Sequence, residues 1–192
     1  MLETFFTSRV RVKILKLFFL SNVERYHVRD ITRQIDEEIN AVRRELSRLF
    51  KIKLLGREKR GNRVYYFMRR NFIFYPEMFR MLIKEFGIGE EFNKKSVDLS
   101  KIKFIGVASE WYSDRERSHS EVDLLIIGNL SLKLLSEIVS KYETKTKKEI
   151  NYTLLSEDEY NSMKQNKTPF LSKFFKQDII VLLGDREKFF VR

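Results

Sequence analysis

At 192 residues the chain fits one or two domains, and with 43% hydrophobic and 34% charged residues it can bury a core beneath a charged surface. It has no cysteine, which excludes a disulfide framework and Cys-ligated zinc, and no run of about 18 apolar residues that would span a membrane. The net charge of +11 is concentrated at one end: residues 1–71 hold 18 Lys/Arg against 8 Asp/Glu, and residues 72–192 hold 20 against 19.

Such asymmetry is what a polyanion-binding segment needs and what solubility alone does not. The 17 Phe and 8 Tyr supply core, and 7 Gly, 2 Pro and the lack of low-complexity tracts give no sign of disorder. The chain begins Met1-Leu2-Glu3-Thr4, without a basic segment and apolar run, so no secretion signal is expected and the reading is cytoplasmic. The two histidines, His27 and His119, are too distant in sequence to form a local metal pair.

In chain order, residues 8–20 predict a helix capped by Ser8, with Val10, Ile14, Leu17 and Leu20 as a stripe widened by Val12, Leu15, Phe18 and Phe19. Tyr26-His27-Val28 predicts a short strand, and 29–35 a helix burying Ile31 and Ile35. Asp36-Glu37-Glu38 places negative charge at the start of the next helix, which runs from Ile39 to Phe50. Its apolar side is Ile39, Val42, Leu46 and Leu49; its outer side is Asn40, Arg43, Arg44, Ser47 and Arg48. Strand 54–58, a turn at Gly61-Asn62 and strand 63–68 complete a basic hairpin. A further helix is predicted over 75–86, closed by Gly87-Ile88-Gly89. Beyond a polar stretch at 90–100 the pattern alternates, with strands at 102–107, 122–127, 150–155 and 178–183 and helices at 131–142, 156–164 and 170–176.

An arginine-lined helix beside a basic hairpin is suited to duplex DNA, the helix in the major groove and the hairpin on the backbone. Arg43, Arg44 and Asn40 are candidates for base edges. Arg48, Lys59, Arg60 and Arg63 are candidates for phosphates, and Ser47, Arg57 and Asn62 complete the DNA-facing set. Glu45 and Glu58 would disfavour phosphate contact at their own positions. Residues 8–70 resemble winged helix-turn-helix regulators of the ArsR/MarR-like kind. Val28-Arg29-Asp30-Ile31 is similar to the family's second helix, Asn40-Ala41-Val42-Arg43-Arg44-Glu45-Leu46 to its recognition helix, and Arg60-Gly61-Asn62-Arg63-Val64-Tyr65-Tyr66 to its wing. Metal sensing is not inferred, because the cysteines or histidines used by metal-sensing members are missing.

In the second half, Ile105-Gly106-Val107-Ala108-Ser109 followed by Ser120-Glu121-Val122-Asp123-Leu124 resembles the signature of the minimal nucleotidyltransferase fold. Carboxylates at i and i+2 on one strand share a face and can hold Mg²⁺ against a nucleotide triphosphate. Gly106 and Ser109 are the nucleotide-binding candidates, Glu121 and Asp123 the metal candidates or relict catalytic pair. Val107 stands where that family has a phosphate-contacting Ser, Glu121 replaces its first Asp, and Asn151 takes the position of its third carboxylate. Trp111 and Tyr112, in the loop between these motifs, would cover a ligand or meet a partner.

The expected fold class is α+β: a winged helix-turn-helix over 1–89 with an additional dimerisation helix, a linker over 90–100, and a small nucleotidyltransferase-like domain with a mixed sheet over 101–192. This arrangement is similar to a class of regulators in which the second domain senses, scaffolds or dimerises. The resemblance implies a transcriptional regulator binding double-stranded DNA as a homodimer, with an inactive second domain, a nucleotide as candidate effector, no membrane partner and no required cofactor. The alternative is an antitoxin-like, Mg-dependent nucleotidyltransferase using Glu121 and Asp123. Helices 8–20 and 75–86, with wide apolar stripes, are the expected dimer interface.

Overall fold

The computed structural model describes residues 4, 6–21, 23–94, 97–112 and 121–189. It is α+β, with two sheets in two units divided between Phe86 and Gly87.

The first unit begins with α1, Arg9–Leu20, where Ser8 accepts a hydrogen bond from the Arg11 amide. The buried face is Val12, Ile14, Leu15, Phe18 and Phe19, so the residues expected to widen the stripe are its centre. Strand β1, Tyr26–His27, leads into α2, Val28–Ile35, which buries Ile31 and Ile35. Then come α3, Ile39–Lys51, and the hairpin of β2, Leu55–Arg60, with β3, Arg63–Met68. The sheet order is β1-β3-β2, antiparallel throughout, with Tyr26 opposite Tyr66 and His27 opposite Tyr65. Ile14, Leu15, Ile31, Val42, Leu46, Leu54 and Leu55 form one core, and burying each side chain of this size contributes about 1.5–3 kcal/mol. Helix α4, Tyr75–Phe86, lies on α1: Tyr75 stacks on Phe19 at 5.1 Å between ring centres and on Phe79 at 6.0 Å. These two helices therefore use part of their apolar surface on each other.

The second unit opens with α5, Ile88–Lys94, where the sequence suggested a linker beginning at 90. Ile88 and Phe92 are buried, and Glu91 lies within ion-pair distance of Lys94, Lys141 and Lys145. Lys141 and Lys145 belong to α6, Leu132–Thr146, so charge pairing joins α5 to it. The sheet runs β6-β5-β4-β7, from β4, Ile102–Ala108, β5, Leu124–Gly128, β6, Tyr152–Leu155, and β7, Ile179–Leu183. It is mixed: β5 and β6 are parallel, joined across α6, and β4 is antiparallel to both its neighbours. Helices α7, Glu157–Gln165, and α8, Pro169–Lys176, contribute Tyr160, Leu171, Phe174 and Phe175 to the core over Phe104, Leu125 and Ile127. Every residue of β5 is buried, so both faces of the strand are covered, which explains why its sequence is an unbroken apolar run. Among the described residues no helix is long and apolar enough to cross a membrane.

Candidate nucleic-acid interface

Helix α3 starts at Glu38, whose carboxylate accepts hydrogen bonds from the amides of Asn40 and Ala41, both at 2.8 Å. Those two amides hold its pKa below the usual glutamate value, as negative charge at a helix N-terminus should. The helix ends where Lys53 turns into the left-handed region at φ 65° and the Leu54 amide reaches back to the Leu49 carbonyl. Val42, Leu46 and Leu49 face the core. Asn40, Arg43, Arg44, Ser47 and Arg48 are all exposed, so the predicted outer face is continuous along the helix.

Glu45 departs from expectation. It is 5% exposed and turned into the unit. Arg11 Nε donates to one carboxylate oxygen at 2.8 Å and Arg48 Nη1 to the other at 2.6 Å. Burial raises its pKa, but the two guanidinium groups outweigh burial and leave it below the ordinary value. It is therefore an internal anchor that gathers α1 onto α3, and not a carboxylate set against phosphate. Arg48 is correspondingly half committed.

The hairpin pairs Arg57 with Tyr66, Glu58 with Tyr65, Lys59 with Val64 and Arg60 with Arg63. Its two-residue tip has Gly61 at φ 57°, with nothing within 4 Å of where a Cβ would sit. A glycine at the first central position and a second residue with negative φ is the type II′ pattern. Arg57, Lys59, Arg60, Asn62 and Arg63 are exposed. Arg57 lies over the Phe50 ring at 4.4 Å, which ties the root of the hairpin to the end of α3. Arg60 pairs with Glu58 at 2.9 Å, and Arg25 also reaches Glu58 at 3.2 Å. Arg43, Arg44, Lys59 and Arg63 have no carboxylate within salt-bridge distance among the described residues.

The second motif is assembled differently from its sequence reading. Gly106 is a buried interior residue of β4, paired with Leu125 and Val181. A Cβ there would lie 2.7 Å from the Phe104 ring and 2.9 Å from Ile179 Cγ2. Its smallness makes room for neighbouring side chains, not for a phosphate. Val107 is also buried in the sheet. Ser109 Oγ donates to Asp178 Oδ2 at 2.7 Å, a carboxylate that sequence spacing did not single out. Strand β5 begins at Leu124, and Asp123 just before it continues the ladder, its carbonyl accepting the Ala108 amide and its amide donating to the Asn151 carbonyl, both at 2.7 Å. Asp123 is 2% exposed and its Oδ2 accepts the Asn151 amide at 2.9 Å. Glu121 lies 3.8 Å from Lys173 Nζ, and its carbonyl accepts the Asn151 side-chain amide at 3.2 Å.

This donor set does not match the open carboxylate pair that Mg²⁺ takes up. Among the described residues no group of three or more His, Cys, Asp or Glu is placed to hold a metal ion. Trp111 is 2% exposed, donates to the Glu149 carbonyl at 2.8 Å and meets Tyr112 edge-on at 4.8 Å. It is core, not a ligand cover. Burial pushes the Tyr112 hydroxyl up to about 12. His119 and Ser120 lie outside the described residues.

The residues that sequence reasoning passed over are Arg11 and Asp178, whereas Glu38 sits at the helix start where the sequence placed negative charge. Arg11 and Asp178 act through long-range contacts that have no local signature. Comparison with protein-family models, curated proteins and solved structures gives no match.

Proposed function

We propose that the first unit is a winged helix-turn-helix that binds double-stranded DNA and that the protein is a transcriptional regulator. Helix α3 enters the major groove, with Asn40, Arg43 and Arg44 at base edges. The hairpin straddles the adjacent backbone, with Lys59, Arg60, Asn62 and Arg63 toward phosphates. Arg48 and Ser47 flank the groove, and Arg57 braces the hairpin against Phe50.

One observation carries this reading. Arg60 and Arg63 are direct cross-strand partners at an exposed tip, and like charges opposite one another are unfavourable. Glu58 balances Arg60, and Arg63 has no salt-bridge partner among the described residues. A phosphate at the tip relieves the repulsion. Dimerisation would place two copies of α3 on half-sites about one DNA turn apart, and sedimentation of the chain with and without duplex tests that part. The second unit serves as a scaffold or sensor in this reading; nucleotidyl transfer on Glu121 and Asp123 has no comparable support.

The experiment is selection of bound duplexes from a random pool, followed by salt titration of the recovered sequence. The expected result is a defined motif whose log affinity falls linearly with log salt. Equal recovery of all sequences, or binding indifferent to salt, refutes the proposal.

A further inference from the structure

A cavity of about 720 Å³ opens within the first unit, inside the roughly 300–1,000 Å³ range of small-molecule sites. Leu15, Leu49, Ile52, Met78, Met81 and Leu82 form much of its wall, and the charged side chains lining it are Arg11 and Arg48. Ile52 and Met81 are 56% and 45% exposed, so apolar surface faces water here.

The charge at its edge is unbalanced. Arg11 and Arg48 share the single carboxylate of Glu45, each through one nitrogen. The three groups together carry one surplus positive charge beside a hydrocarbon wall. A guanidinium has five N–H donors, so both arginines retain donors for a second anion. Complementarity therefore specifies an apolar body ending in one negative charge.

We propose that this cavity binds a free small monocarboxylate with a flexible apolar tail. The tail displaces water from the exposed Ile52, Phe74 and Met81 side chains that line the opening. Met78 and Met81, unbranched and adaptable, close on it. The carboxylate receives hydrogen bonds from Arg48 and Arg11, joining Glu45 as a second counter-charge. Arg48 also lies on the outer face of α3, so a bound carboxylate competes with phosphate for it. That last consequence rests on the proposed DNA reading; the binding does not.

The test uses the full chain without DNA, so that its outcome is independent of duplex binding. Decanoate, decan-1-ol and decylamine are titrated by calorimetry below their aggregation concentrations. Decanoate is expected to saturate one site at least about tenfold more tightly than the alcohol, since charge-assisted hydrogen bonds distinguish them. Decylamine is expected not to bind. Arg48→Gln leaves Arg11 on Glu45 and is expected to bring decanoate down to the alcohol's affinity. Met81→Asp, at an exposed position tolerant of folding, is expected to abolish decanoate binding by repulsion, with its circular dichroism unchanged. Equal affinity for decanoate and decanol, or no saturable heat, overturns the proposal. So does a dimer in sedimentation that Met81→Asp dissociates and decanoate leaves intact, because a second copy of the chain then fills the groove.

Discussion

Replacing Glu45 with Gln isolates the buried charge at the centre of the first unit. The Glu45 side chain is 6% exposed, that of Arg11 24% and that of Arg48 62%. The inner pair is sequestered, where a hydrogen bond to a charged group contributes about 1.5–3 kcal/mol. The outer pair is largely in solvent, where such pairs contribute roughly 0.2–1 kcal/mol. Glutamine keeps an amide oxygen for one guanidinium, so the net loss should be about 1–2 kcal/mol. In a unit of 86 residues, Met1–Phe86, 1 kcal/mol moves the midpoint by about 4–8 °C, giving a fall of roughly 4–16 °C.

The pH dependence provides the sharper check. The folded-state pKa of Glu45 is below its ordinary value, so its contribution is full at neutral pH and is lost as pH falls through that depressed value. Thermal unfolding by circular dichroism from pH 7 downward should show the wild type and Glu45→Gln separated at pH 7 and converging in acid. A separation that persists undiminished in acid, or none at pH 7, shows that the carboxylate charge is not what holds α1 to α3.

Other expectations concern both units. Arg43→Ala and Arg44→Ala should each cost about 1–3 kcal/mol of binding to the selected duplex and relax base preference; fluorescence anisotropy against single-base variants of the site measures this. Arg63→Ala should reduce the magnitude of the salt slope by about 0.9, and Arg60→Ala by less, because Glu58 already balances Arg60; the reverse order in a salt titration contradicts the tip geometry. Gly106→Ala should destabilise the second unit by about 1–3 kcal/mol, since the added methyl meets Phe104 and Ile179 in a filled core, and denaturant unfolding reads it.

The path of the chain was largely written in local pattern. The spacing of Val42, Leu46 and Leu49 placed α3, and the alternating apolar blocks after residue 100 placed all four strands of the second sheet within a few residues. Polar segments misled. Residues 90–94 read as the start of a linker because Glu90, Glu91 and Lys94 are charged, yet Glu90 and Glu91 meet Lys141 and Lys145 on α6, Lys94 pairs back onto both, and Ile88 and Phe92 are left for the core. The same blindness affected Glu45, whose helical position looked outward until Arg11, 34 residues earlier, supplied a counter-charge. For the second motif, residue types agreed with a nucleotide site, but spacing could not show that Asp123 would be buried on the Asn151 amide or that Glu121 would lie beside Lys173.

The two outer strands of the second sheet, Tyr152–Leu155 and Ile179–Leu183, have only four and five residues. A foreign extended segment aligning with either rim would gain few ladder contacts before running past its end. Brevity at the margins, together with the register shift where the last strand pairs with Ile105 and Gly106, thus guards a strongly apolar sheet against growing into fibrils. Lengthening either rim by a few β-branched residues would remove that guard and favour self-association long before it altered the native fold.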